Sequence, residues 1–202
     1  MSQKIEIPAG MIPIVEIFNS IQGEGTMLGI PVTFIRVAGC NLTCPWCDTK
    51  NSWGLQNSLM MTPQQIADQT TMDIVVITGG EPCQYDLYEL IELLHDKAYF
   101  VCIETNGTLP TPQNADWVTA SPKPPEFTLH PQCEWNELKY VVDEDFSFDN
   151  IPEELYNSHQ GCIWLQPEGN NMLESAAKAY KIVMEHPNLR SGVQLHKILG
   201  VR

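Results

Sequence analysis

Three cysteines on one short stretch, Cys40-Asn-Leu-Thr-Cys44-Pro-Trp-Cys47, constrain this chain more than any other feature. They directly follow an apolar run, Pro31 to Val37, that reads as a strand, so one strand must empty into a loop of thiols. Three clustered thiolates suit a [4Fe–4S] cluster, whose irons are held by cysteine sulfur. No fourth cysteine lies close by. With three protein ligands one iron keeps an open position, which the amino and carboxylate groups of S-adenosylmethionine (SAM) can take. An electron from the cluster can then cleave the sulfonium and release a 5′-deoxyadenosyl radical. The competing readings are a zinc site completed by a distant histidine and cysteines that are merely buried. No second closely spaced cysteine or histidine pair stands nearby to complete a zinc site, so the spacing favours iron–sulfur.

A chain of 202 residues fits one domain, 1–202, with a single substantial core. Its apolar content of 43% and charged content of 18% make it globular rather than disordered. No apolar run approaches the length of a membrane span, and the start, Met1-Ser-Gln-Lys-Ile-Glu-Ile, carries no secretory core. The expectation is a cytoplasmic protein without membrane contact. A net charge of −14 repels phosphate backbones, so nucleic acid is not an expected partner. Cys83, Cys102, Cys133 and Cys162 are scattered and read as small core residues carrying thiols rather than disulfides.

Residues 1–11 read as a loosely ordered lead. Ile12 to Phe18 alternates as a first strand, and Gln22-Gly-Glu-Gly25 follows as a loop before the strand Pro31–Val37. That second strand carries one charge, Arg36, which must be paired or face a polar cavity. It either snorkels from an edge or offers its planar fork to a carboxylate ligand. Thr62-Pro-x-Gln65 starts a helix running to about Thr71, with Thr62 as cap and Pro63 in the first turn. A buried strand, Asp73 to Thr78, empties into Gly79-Gly-Glu-Pro82, where glycines let a ligand approach the backbone. Leu87, Leu90, Ile91 and Leu94 recur at helical spacing and predict a helix over 85–97.

Further strands are expected at 99–103, ending in Glu104-Thr-Asn-Gly-Thr108, and from Trp117 into Ser121-Pro-Lys123. Two more are expected at Glu137–Val142 and at Cys162–Pro167. Asn171-x-x-Glu174 boxes a last long helix with Ala176, Ala177, Tyr180, Val183 and Met184 on its apolar side. Strands alternating with helices predict a parallel sheet, but the helical pattern thins between 99 and 165. The fold class expected is therefore α/β, a partial, open (β/α) barrel. The Cys40–Cys44–Cys47 spacing resembles the signature of the radical SAM superfamily, and that resemblance implies a shortened, modified barrel of the radical SAM type. Five polar motifs each follow a strand, and in such folds those C-terminal ends line the active-site mouth. This distribution is that of an enzyme.

The motifs together resemble one family. Gln22-Gly-Glu-Gly25, Phe34-Ile-Arg36, Gly39-Cys40 through Cys47-Asp-Thr49, Thr78-Gly-Gly-Glu-Pro82 and Glu104-Thr-Asn-Gly-Thr108 occur with Ser121-Pro-Lys123, Glu137-Leu-Lys-Tyr-Val141, Gln166-Pro167 and Gln194-x-His-Lys-x-x-Gly200. This set is similar to the 7-carboxy-7-deazaguanine synthases of queuosine biosynthesis, from about residue 14 to the C-terminus. The resemblance implies radical ring contraction of 6-carboxy-5,6,7,8-tetrahydropterin to 7-carboxy-7-deazaguanine with loss of ammonia. It also implies a [4Fe–4S] cluster, SAM and Mg²⁺, a homodimer, and a reductant such as a flavodoxin or ferredoxin. By that resemblance Cys40, Cys44 and Cys47 hold the cluster and Thr49 the Mg²⁺. Gly80, Ser121, Pro122, Lys123 and Gln166 bind SAM. Ile21, Gln22, Gly23, Arg36, Thr78 and Arg202 bind the pterin. No role is assigned to Lys139 or His196.

Two other functions compete. A small radical SAM activating enzyme for a glycyl-radical partner would need a protein-docking groove rather than a carboxylate-binding arginine. A non-catalytic iron–sulfur electron carrier, like a zinc module, leaves the four further strand-end motifs without a purpose.

Overall fold

The computed structural model describes residues 6–158, 160–169 and 171–202. They form two compact units, and each is an open run of strands with helices laid against it. The expected lead falls partly outside the described residues; from Glu6 to Gly10 the chain is exposed and precedes the first strand.

The first unit takes the described chain up to Ser20, then Pro31–Glu104 and Pro112–Asp116. Its strands are β1 (Ile12–Ile21), β2 (Pro31–Val37), β3 (Leu59–Met61), β4 (Ile74–Gly79) and β5 (Phe100–Thr105). They lie in the order β3-β1-β2-β4-β5. β1 and β3 are antiparallel, whereas β2, β4 and β5 run parallel, with Arg36 beside Thr78 and Ile77 beside Ile103. β3 was not expected, because a three-residue edge strand is too short to show a period.

The helices here are α1 (Pro63–Ala67) and α2 (Tyr88–His95), packed on each other. The cap at Thr62 forms as expected: its hydroxyl accepts the Gln65 N–H at 3.3 Å, and Gln65 Oε1 accepts the Thr62 N–H at 2.9 Å. α1 stops at Ala67 rather than near Thr71. Its last carbonyl is taken by the Thr70 hydroxyl (2.8 Å) and the Lys97 ammonium (2.5 Å), which close the helix end. Ile66, Leu90, Ile91 and Leu94 are fully buried, each contributing about 1.5–3 kcal/mol of apolar transfer free energy.

The second unit comprises Ile21–Ile30, Thr105–Thr111 and Trp117–Arg202. Its strands β6 (Trp117–Ala120), β7 (Glu137–Val142), β8 (Cys162–Pro167) and β9 (Leu189–Ser191) are consecutive and parallel. The helices are α3 (Glu153–Tyr156), α4 (Met172–Glu185) and α5 (Leu195–Leu199). Between β5 and β7 there is no α-helix, in line with the thinning of the helical pattern.

Two expectations about α4 are corrected. Asn171 makes no side-chain cap to the backbone; its amide instead donates to Glu174 Oε2 at 2.8 Å. Tyr180 and Met184 are 61% and 66% exposed, so they do not form the inner side. The buried positions are Ser175 and Ala179, whose small side chains let α4 lie close on β7 and β8. The Ser175 hydroxyl donates to the carbonyls of Glu168 (3.2 Å) and Asn171 (2.7 Å), which fixes that rotation. A further correction concerns cysteine: all seven are thiols, but only Cys102 and Cys133 are core residues, while Cys83 and Cys162 are half-buried.

Candidate active site

In the first unit the cluster loop leaves β2 under close backbone control. Ala38 N–H donates to Pro13 O (2.8 Å), Gly39 N–H to Ser52 O (2.8 Å) and Cys40 N–H to Trp53 O (3.2 Å). The Tyr85 hydroxyl donates to Ala38 O at 2.5 Å. The Gly-Gly-Glu-Pro turn after β4 lies against the same stretch: Gly80 N–H donates to Val37 O (3.0 Å) and Glu81 N–H to Gly39 O (2.7 Å). A Cβ on Gly80 would overlap the Gly39 carbonyl, so glycine is required there for backbone apposition alone. Glu81 is fully buried and accepts the Cys83 N–H at 3.0 Å, which closes the turn.

Cys40, Cys44 and Cys47 are each half-buried, and Cys47 N–H donates to Cys44 O at 3.1 Å. Burial pushes the Cys40 thiol up, and the neighbouring charges of Glu81, Cys44 and Cys47 add to it against a backbone hydrogen bond from Leu42. Among the described residues no three cysteine, histidine or carboxylate side chains converge as a single metal ion requires. A zinc ion draws its sulfurs in to about 2.3 Å, whereas the ligands of an iron–sulfur cluster sit on separate irons. The donor set fits the cluster better than zinc.

Arg36 is not left alone. Its Nε donates to Glu16 Oε1 at 2.9 Å, and its guanidinium carbon stands 5.8 Å from the Phe18 ring. Burial lowers its pKa, while the charges of Asp48, Glu104 and Cys47 oppose that shift. Arg36 and Thr78 are register partners, and Glu104 follows Ile103, the partner of Ile77. Arg36, Thr78 and Glu104 therefore continue one row across three parallel strands, with Glu16 beside Arg36. Glu104 heads one of the strand-end motifs read from the sequence, whereas Glu16 lay in none of them; a charge at an alternate position of an apolar strand was its available signal. Thr49 donates its hydroxyl to Asp48 Oδ1 at 2.9 Å and makes no cap, so the loop presents two adjacent hard oxygen donors.

In the second unit Ser121 donates to Lys139 O at 2.5 Å, and the Lys123 ammonium bonds both the Ser121 carbonyl (2.8 Å) and its hydroxyl. Pro122 between them is buried. Gln166, at the end of β8, is only 2% exposed, and neither end of its amide meets a hydrogen-bond partner among the described residues. An unsatisfied buried polar group costs about 1–3 kcal/mol, so a ligand that completes this amide recovers that cost. Ile21 ends β1, and Gln22 anchors its loop by donating its N–H to Ile30 O at 2.8 Å. Gly23 O accepts the Leu195 N–H at 2.9 Å, and the His196 ring lies directly against Gly23. Arg202 is exposed beyond α5. Lys139 Nζ pairs with Glu24 Oε2 at 2.7 Å.

A strand emptying into three thiols, with a glycine turn backed onto it, is an arrangement suited to a radical SAM protein. Residues 34–129 match the family model described as the Radical SAM superfamily. The 7-carboxy-7-deazaguanine synthase of Neisseria meningitidis serogroup B is 44% identical, with 93% of each chain covered. Those of Bacteroides thetaiotaomicron and Synechocystis sp. are 39% and 36% identical, covering 95% and 94% of this chain and 100% and 93% of theirs. The crystal structure of QueE from Escherichia coli superposes with a TM-score of 0.77 at 29% identity, covering 94% of this chain and 96% of that one. The chain belongs to the 7-carboxy-7-deazaguanine synthase family. The expected fold class, an open and partial (β/α) barrel of the radical SAM type, is borne out with it.

Proposed function

We propose that this protein is a radical SAM carbon–nitrogen lyase. It contracts 6-carboxy-5,6,7,8-tetrahydropterin to 7-carboxy-7-deazaguanine with loss of ammonia, a step of queuosine biosynthesis. The observation that carries the reading is the match of nearly the whole chain to synthases of that name, with the three-thiol loop intact. When bound, the cluster supplies the electron that cleaves SAM and so the radical that starts the chemistry. Cys40, Cys44 and Cys47 would hold it. The rival activating-enzyme and electron-carrier readings find no support in these relatives. SAM cleavage by the reduced, reconstituted protein, assayed with and without the pterin, separates them: stimulation by the pterin is expected, and indifference to it contradicts the proposal.

The finer roles belong to the same proposal. In the first unit Gly80 contacts SAM, Arg36 and Thr78 contact the pterin, and Thr49 ligates Mg²⁺. In the second, Ser121, Pro122, Lys123 and Gln166 contact SAM, and Ile21, Gln22, Gly23 and Arg202 the pterin. Residues 1–202 act as one radical SAM domain; the family match at 34–129 draws on residues of both units. The active form is a homodimer served by a flavodoxin- or ferredoxin-type reductant, in the cytoplasm and without nucleic acid. Among the described residues no helix is long and apolar enough to cross a membrane.

Two substitutions test the ligand roles. Gln166→Leu removes a buried amide that has no protein partner, so the unliganded protein should melt no lower than the parent while SAM affinity falls about tenfold. Unchanged SAM affinity would make Gln166 a bystander. Thr49→Ala should raise the Mg²⁺ concentration needed for half-maximal turnover and leave iron content alone. An unaltered Mg²⁺ titration would reduce Thr49 to a partner of Asp48.

A further inference from the structure

The Gln22–Gly25 loop has little to hold it by itself. Gln22 N–H donates to Ile30 O (2.8 Å), Gly29 N–H to Gln22 O (2.7 Å), and Glu24 N–H to Gln22 Oε1 (3.1 Å). The tip between these bonds is fastened from outside, by a strand and by the tail. Glu137 and Lys139 are two apart on β7, so their side chains share one face. Glu137 Oε2 accepts the Thr26 N–H at 2.9 Å. Lys139 Nζ pairs with Glu24 Oε2 at 2.7 Å, and the Gln194 amide donates to Glu24 Oε1 at 2.7 Å.

Each anchor is itself built in. Glu137 also accepts the Thr119 hydroxyl (2.8 Å) and the Trp164 indole N–H (3.0 Å), which fix its carboxylate from β6 and β8. Gly25 has φ +68°, and a Cβ there would overlap Glu137 Oε1, so the loop comes in as close as backbone can. The Lys139 and Glu24 side chains are only 10% and 14% exposed. An ion pair so shielded contributes little net stability over an apolar pair of the same volume, and its attested use is to fix one geometry.

We propose that Glu137, Lys139 and Gln194 form a clamp that sets the conformation of the Gln22–Gly25 loop and thereby the affinity for the pterin. They are positioning residues, acting through Glu24 and Thr26 rather than on substrate. Because one Glu24 oxygen is held from β7 and the other from the tail, the clamp ties loop order to the docking of the residues before α5. The inference rests on the proposal that Ile21 to Gly23 bind the pterin.

The test uses the full chain with its cluster reconstituted and 6-carboxy-5,6,7,8-tetrahydropterin as substrate. Lys139→Met and Glu24→Gln should each raise KM for the pterin about tenfold or more while kcat changes less than about threefold. The double variant should be no worse than the poorer single, because both remove one interaction. Lys139→Arg, which keeps the charge, should recover most of the loss. Iron content and pterin-free SAM cleavage report that each variant is folded. Singles whose effects multiply, or an unchanged KM in a folded Lys139→Met protein, overturn the clamp. Should Lys139→Met fail to fold, Gln194→Leu, which removes only the neutral contact, must still raise KM; an unchanged value there overturns it as well. Absence of pterin turnover by the unaltered protein would instead overturn the proposed function.

Discussion

Alanine at any one of Cys40, Cys44 or Cys47 is expected to remove the iron–sulfur cluster and with it all SAM cleavage. Three thiolates are the fewest that leave one iron open for SAM, so none can be spared. The loop that carries them is fixed by backbone bonds to Pro13, Ser52 and Trp53, and these do not depend on the cysteine side chains. Each variant should therefore fold and still lack iron. Alanine at Cys83, Cys102, Cys133 or Cys162 should leave iron and sulfide content near that of the parent. Cys83 is the informative control, because its N–H bonds Glu81, whose own backbone is joined to Gly39 beside the cluster loop. Full iron loss in the Cys83 variant would mean that the ligand set is wrong.

Arg36→Ala is expected to weaken pterin binding by about ten- to a hundredfold, the worth of one charge-assisted hydrogen-bonded pair. From the sequence Arg36 looked like a cation in want of an anion. The structure supplies one in Glu16, bonded at Nε, while the Phe18 ring stands beside the guanidinium. Its remaining N–H groups are suited to a carboxylate such as the one the substrate bears. SAM affinity should barely change. Arg36→Lys should recover part of the loss, because a point charge lacks the planar fork. Glu16→Gln separates the two partners: if the pterin carboxylate pairs with Arg36, binding should survive that change within about threefold. Normal pterin affinity in Arg36→Ala, joined to a lower melting temperature, would make Arg36 a structural partner of Glu16 and nothing more.

Which parts were legible in the sequence follows from how local their causes are. The strands Pro31–Val37, Glu137–Val142 and Cys162–Pro167 have the expected bounds because their β-branched and apolar content leaves no competing period. The cap at Thr62 was legible for the same reason, since both of its bonds lie within four residues. The ends of helices were not. α1 closes early through Lys97, thirty positions along the chain from Ala67, and no local pattern encodes that.

α4 shows a different limit. Its apolar residues suggested an inner face, yet Ser175 and Ala179 are what it buries, because close packing on strands rewards small side chains over large ones. At the candidate site, the residue types that bind by themselves could be read: three thiols, a lone arginine, glycines at strand ends. Those that act through others could not. Glu137 and Lys139 look like ordinary charges until the loop they hold, more than a hundred positions earlier, is placed beside them.

The central claim is that this chain carries out the ring contraction itself. The most direct measurement is anaerobic turnover of 6-carboxy-5,6,7,8-tetrahydropterin by the reconstituted, reduced protein with SAM and Mg²⁺, with product and ammonia both quantified. Formation of 7-carboxy-7-deazaguanine with one ammonia released per product, abolished by Cys44→Ala, is the expected result. SAM cleavage that proceeds without consuming the pterin, in protein with a full complement of iron and sulfide, would contradict it.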